Sequence, residues 1–233
     1  MCHEWTGIDV LRLDKFYLLI RRFISKGFSL LKKNSWDLEL VKNLIYVLDD
    51  ETFYAEDKLQ GNKVSYHVAT IFLEERRPFL PFKLQVIEVL LKPFITAIGK
   101  FPDKVLLSKI KSGVLDVLLK MGKRLLKVKK GGEKVDSSCD VVVFEIVVLV
   151  MGFFAKFYEL GSSVECCQGN IKVLFGLHSE FLKLEKDTAG SGFDFSVPNV
   201  LDRDDDEVPK LVPILNGGSD LGDAEVVGNG DVL

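Results

Sequence analysis

Apolar positions along this chain recur at three- and four-residue steps far more often than they alternate, which is the signature of helices that bury one face. Ile8, Leu11, Phe16, Leu19, Ile20 and Phe23 make the first such stripe, with Arg12, Lys15, Arg22 and Lys26 mostly opposite. Residues 8–33 are therefore predicted to form one long amphipathic helix. Thr6 or Asp9 offers a side-chain oxygen to the free N–H groups of its first turn, and Gly27 marks a candidate bend. Ser35 reads as the next N-cap, ahead of a second helix over 36–48 whose Asp37 and Glu39 suit the positive end of the helix dipole. The polar stretch that follows ends in L-Q-G-N-K (59–63), where the Gly-Asn pair predicts a turn.

A third helix is predicted over 65–75, closed by Pro78 and Pro81, and a fourth over 82–100. Pro93 lies inside the fourth and is expected to kink or split it, having no N–H to donate. The fifth runs from about Asp103 to Leu126, with Val105, Leu106, Ile110, Val114, Leu118 and Met121 spaced for one buried face. A basic, glycine-containing linker is expected over 127–138, followed by apolar helices over 139–160 and 170–186. The Val-rich composition of 139–160 also suits a strand, but the run is several times longer than a typical strand and no partner strands are evident. After Glu185 the period ends; Gly, Ser, Asp, Asn and Pro dominate, as in a disordered tail. The fold class is all-α: antiparallel helices with short connections, packed as an irregular α-solenoid or helical-repeat bundle. The expected domains are a helical domain over 1–186 and a disordered acidic, Gly-containing tail over 187–233.

With 47% hydrophobic residues the chain can bury a sizeable core. The net charge of -3 hides an asymmetry, because 202–207 (D-R-D-D-D-E) is acidic whereas 120–134 is strongly basic. Lys120, Lys123, Arg124, Lys127, Lys129, Lys130 and Lys134 form that basic cluster and are the candidate RNA-binding residues. Three readings stand beside one another: neutralised phosphates, a solvated basic helix end, and a nuclear localisation signal.

Other chemistry is sparse. The cysteines are Cys2, Cys139, Cys166 and Cys167, with no C-x-x-C pair and no signal-peptide pattern, which suits a reducing intracellular compartment. His3, His67 and His178 are isolated, so no metal site is expected, nor any cofactor. The apolar run 141–154 is shorter than the roughly 20 residues of a membrane span and contains Glu145, so it reads as a buried helix. Phosphate-loop, dinucleotide and nucleophile-elbow motifs are missing. Asp9 and Asp14 fall on different helix faces, Glu74, Glu75, Arg76 and Arg77 read as a solvated face, and Cys166-Cys167 as two small apolar residues at a helix–helix turn. Neither enzymatic activity nor a small-molecule substrate is expected.

The opening stretch E-W-T-G-I-D-V-L-R-L-D-K-F-Y (4–17) closely resembles a signature of the eukaryotic ribosomal RNA-processing protein 1 family. It contains Trp5, Gly7, Asp9, Arg12, Asp14, Lys15 and Phe16. The segments V-S-Y-H-V-A-T-I-F-L-E-E (64–75), P-F-I (93–95) and D-K-V-L-L-S-K-I-K-S-G-V-L (103–115) are similar to later helices of the family, and 168–178 to its plant members. The likeness spans about 4–185 and is strongest over 4–126. It implies a non-catalytic nucleolar factor of large-subunit assembly, a helical scaffold whose partners are pre-60S proteins and precursor rRNA, with no membrane attachment. The motif residues would serve structure or partner contact. The resemblance also implies that the family's first helices and its long basic C-terminal extension are absent here. Two alternatives accompany it: a truncated, non-functional paralogue, and a protein-interaction scaffold without RNA contact.

Overall fold

Ile20, Ile24, Phe28 and Leu31 are all buried along one side of α1 (Val10–Lys33), the helical stripe that its sequence predicts. The computed structural model describes residues 10–54, 58–80, 82–132, 142, 144, 146 and 151–192, with backbone alone for 10–13 and 58–62. The tail expected to be disordered over 187–233 begins instead as helix, since the last helix runs on to Ala189; residues 193–233 lie outside the described residues, as do Trp5, Gly7 and Asp9 of the opening motif.

The connection from α1 to α2 (Leu38–Thr52) corrects the expected cap. Asp37, not Ser35, accepts the Leu40 N–H at 2.9 Å and caps α2. Ser35 and Trp36 instead take left-handed backbone with φ of 49° and 58°. Such conformations cost non-glycine residues on the order of 1 kcal/mol each. Packing holds them in place: the Trp36 ring meets Phe82 edge-on at 4.5 Å, and the backbone N–H of Trp36 donates to the Leu31 carbonyl at 2.9 Å.

α3 (Lys58–Glu75) begins earlier than the Gly-Asn pair suggests, so the expected turn over 59–63 is helical backbone. Gly61 costs such a helix about 1 kcal/mol, which burial of Val64, Val68, Ile71 and Phe72 outweighs. α4 (Leu84–Lys100) likewise runs through Pro93 without splitting. Its burial of Val86, Ile87, Leu90, Leu91, Phe94, Ala97 and Ile98 offsets the one hydrogen bond that Pro93 cannot make.

Asp103 caps α5 (Lys104–Ile110), accepting from the N–H groups of Val105 and Leu106, while its other oxygen accepts the Tyr66 hydroxyl of α3 at 2.5 Å. A π-turn (Lys111–Leu115) joins α5 to α6 (Asp116–Lys130). Gly113 sits in that turn where α3 passes closest; a Cβ there would lie 2.4 Å from the Ala69 carbonyl oxygen. α6 extends to Lys130, so Lys127, Lys129 and Lys130 are helical rather than part of a linker, whose residues 133–138 fall outside the description.

The single helix expected over 139–160 is interrupted. Val142, Phe144 and Ile146 are helical, but Gly152 adopts φ 61° and α7 (Phe153–Ser162) starts after it. α8 (Ile171–Ala189) follows and packs along α7. α3 lies beside α1 and α5, and α4 beside α2 and α7, which gives two rows of stacked helices around a continuous apolar core. Rings occupy its centre, with Phe72 tilted against Phe94 at 4.8 Å and edge-on to Phe28 at 5.4 Å. Among the described residues there is no strand, and no described helix is long and apolar enough to cross a membrane.

Candidate nucleic-acid interface

α6 is divided cleanly between two faces. Leu118, Leu119, Gly122, Leu125 and Leu126 are buried, while Lys120, Lys123, Arg124, Lys127 and Lys130 are exposed and Lys129 is half-buried. Steps of three and four along the helix put the exposed cations on one stripe. From Lys120 to Lys130 that stripe extends about 15 Å at the helical rise. Lys127, Lys129 and Lys130 occupy the last turn, where cations complement the negative end of the helix dipole. The helix stops at a glycine pair: the Gly131 N–H bonds the Lys127 carbonyl at 3.0 Å and Gly132 takes φ 75°. Lys123 Nζ lies 3.7 Å from Glu180 of α8, an exposed contact that ties one edge of the stripe to the neighbouring helix. Six of the seven basic candidates are thus brought together; Lys134 lies outside the described residues.

The opening-motif residues are elsewhere. Asp14 and Lys15 are exposed on α1, Phe16 is half-buried there, and the side chain of Arg12 falls outside the description. α3 stands between α1 and the α5–α6 rod, so these groups do not join the basic stripe.

One charged group beneath α6 departs from its expected place. Arg76, read from sequence as part of a solvated face, is only 3% exposed. Its guanidinium lies 3.5 Å above the centre of the Phe144 ring, and Nη2 donates to the Met121 sulfur at 3.8 Å. Nε and Nη1 have no hydrogen-bond partner. Burial, with a smaller contribution from Arg77, drives its pKa down from the ordinary guanidinium range to about 9, so it stays charged at neutral pH. The signal was present in the sequence: Arg76 follows Ala69 and Phe72 at helical spacing, on the buried side. Glu74 and Glu75, by contrast, both pair with Arg21 of α1, at 2.9 and 3.1 Å.

The remaining candidates are structural. His67 stacks on Tyr17 at 4.2 Å with Nε2 3.3 Å from the Tyr17 carbonyl, and burial lowers its pKa. Cys166 and Cys167 are half-buried in the turn before α8; the Cys167 N–H bonds the Gly99 carbonyl at 2.9 Å. Burial first, and then Cys167, raises the Cys166 pKa and keeps its thiol protonated. Among the described residues no three His, Cys, Asp or Glu side chains are grouped to hold a metal ion.

A family model described as "Nucleolar protein, Nop52" matches residues 1–142. "Ribosomal RNA processing protein 1 homolog B" of Homo sapiens is 34% identical over 121 residues, covering 51% of this chain and 16% of the relative. "Ribosomal RNA processing protein 1 homolog A" of the same species is 31% identical over 121 residues, covering 51% of this chain and 26% of the relative. The homolog of Dictyostelium discoideum is 27% identical over 208 residues, covering 78% of this chain and 41% of its own length. The chain therefore spans less than half the length of these relatives.

Proposed function

This chain belongs to the nucleolar Nop52 family, that of the ribosomal RNA processing protein 1 homologs, and on that premise we propose that it is a non-catalytic factor of large-subunit assembly. It acts as a helical scaffold in the nucleolus, supporting precursor-rRNA processing on pre-60S particles through contacts with RNA and assembly proteins. The observation that carries the RNA contact is the single-faced stripe Lys120, Lys123, Arg124, Lys127 and Lys130 on α6. Such a stripe offers point charges to a phosphate backbone, and α6 has no aromatic side chain on which a base could stack. The contact it supports is therefore backbone-directed and indifferent to sequence.

Binding of the full chain to large-subunit precursor RNA tests this across a salt series. Four neutralised phosphates predict a loss of about 100-fold in affinity between 50 and 200 mM salt, from the usual slope per phosphate. Replacing Lys120, Lys123, Lys127 and Lys130 by Ala should flatten that slope and release the tagged chain from pre-60S particles on a sucrose gradient. An unchanged slope in the quadruple variant would remove α6 from the RNA contact. Particle association without any RNA affinity would leave a scaffold that binds proteins alone.

A further inference from the structure

Aromatic rings meet in two layers between α7 and α8. Phe153, Phe157 and Phe181 form the inner layer, buried and 5.2 to 6.1 Å apart, and close the contact between the two helices. The outer layer is Phe154 and Tyr158 of α7 with Phe175 and His178 of α8, and it opens to solvent. Tyr158 is 54% exposed and the other three are half-buried. His178 Nδ1 lies 2.9 Å from the Phe154 carbonyl, which can only accept, so the proton is on Nδ1 and the ring is fixed. Tyr158 meets Phe175 edge-on at 6.0 Å and His178 at a 50° tilt, 5.4 Å away. Neither lies parallel to it, so no described ring occupies a stacking position on Tyr158. The positions one turn either side of it on α7 are the small, exposed Ala155 and Ser162. On α8 a Cβ at Gly176 would meet nothing within 4 Å.

The exposed stripe of α8 that borders these rings is basic. Lys172, Ser179, Lys183 and Lys186 recur along it at helical spacing, one turn from Phe175 and His178. Asp187 lies one turn beyond Lys183 and offsets part of the far end, whereas Lys172 stands at the end nearer Phe175. Glu180 is drawn the other way, to Lys123 of α6 at 3.7 Å. Exposed rings beside cations are suited to single-stranded nucleic acid, whose phosphates track the charges while its bases lie on the rings. A duplex keeps its bases stacked on one another and cannot offer them. The rim favours nucleic acid over a protein surface, because Lys172, Ser162 and Ser179 are groups that bind phosphate and sugar. We propose that the α7–α8 seam is a subsite for single-stranded RNA, in which an unpaired base stacks on Tyr158 while Lys172 and Lys183 hold the adjoining phosphates. It rests on the reading of this chain as an RNA-binding factor, but not on the α6 stripe, which meets the opposite side of α8 through Lys123 and Glu180. Both helices lie beyond residues 1–142, which the family model matches, so family membership does not supply this site.

The test compares two strands of about 12 nucleotides, a length within the usual range of single-strand sites. One is oligouridine; the other is abasic, with the same phosphates and no bases. Fluorescence anisotropy reads the affinity of the full chain for each across a salt series. The oligouridine should bind about tenfold more tightly at every salt concentration, the effect of stacking one base. Tyr158→Leu should abolish that preference and leave the salt slope unchanged, whereas Tyr158→Trp, which keeps a stacking face, should retain it. Circular dichroism establishes that both variants are folded. Lys172→Gln should weaken both strands alike. Equal affinity of the wild-type chain for the two strands would overturn the proposal, as would a preference that survives Tyr158→Leu or is lost in Tyr158→Trp. The quadruple α6 variant separates the two contacts. A base preference whose salt slope is indifferent to that variant would remove α6 and keep the seam. A slope that depends on α6 without any base preference would do the reverse and leave the rings to a protein partner. Binding to neither strand would overturn both.

Discussion

Arg76 brings a full positive charge to a place otherwise lined by hydrocarbon, beside Phe144, Met121, Phe72 and Leu73. The ring face of Phe144 and a thioether sulfur replace only part of the hydration that burial removes. Arg76→Met should therefore stabilise the fold, by about 1–3 kcal/mol, because a flexible apolar chain fills the site without a buried charge. Arg76→Ala, which empties the site, should destabilise instead. Urea denaturation of both variants checks the pair. The pH dependence has a definite sign. The folded state releases its proton near pH 9 and the unfolded chain only at a much higher pH, so the penalty of burial is full below pH 9 and eases above it. The advantage of Arg76→Met over the wild-type residue should thus shrink as pH rises past about 9. Burial here was legible in the helical period, since Arg76 continues the row of Ala69 and Phe72. Its charge argued for solvent, and only the position of Phe144, far along the chain, explains why the period prevailed.

Each helix existed in the pattern of its own residues, but where the helices stop was decided by contacts between them. Ser35 and Asp37 are both competent caps; Trp36, docked on Phe82, settles the choice by twisting the chain so that Asp37 faces the first turn of α2. Gly61 and Pro93 looked like breaks and lie within helices because their neighbours bury enough apolar surface to hold the backbone. Gly113 is the reverse case, a residue unremarkable in sequence on which the α3 crossing depends. Gly113→Ala should cost about 1–3 kcal/mol, since the added methyl meets a carbonyl oxygen of another helix rather than a side chain that can move. Gly176→Ala on α8, where a Cβ meets nothing within 4 Å, should instead stabilise by about 0.5–1 kcal/mol through helix propensity. Thermal or chemical denaturation of the two variants, run in parallel, separates close approach from a general effect of glycine.

Among the described residues, Asn170 makes the longest-range of the side-chain hydrogen bonds, tying the last helix pair to α4. Its side-chain amide, 1% exposed with its residue, donates to the carbonyls of Ile98 at 2.9 Å and Phe101 at 2.7 Å, closing the end of α4 from just ahead of α8. Asn170→Ala should cost about 1–3 kcal/mol, because a buried and a half-buried acceptor both lose their donor. Hydrogen exchange should show the loss of protection concentrated at the end of α4 and the start of α8. The all-α architecture was legible from periodicity, and so was the basic character of α6. The Asn170 clasp was not: in sequence Asn170 is one more turn residue of Q-G-N, and its partners lie 72 and 69 positions earlier. That separation also sets an order of events during synthesis. The carbonyls of Ile98 and Phe101 leave the ribosome long before the amide that will bind them. At about 5–20 residues per second the nascent chain carries an open α4 end for roughly 4–14 s. During that interval the earlier helices can pack while the last pair is still being made, and a chaperone has a fixed window in which that pair is not yet fastened to α4.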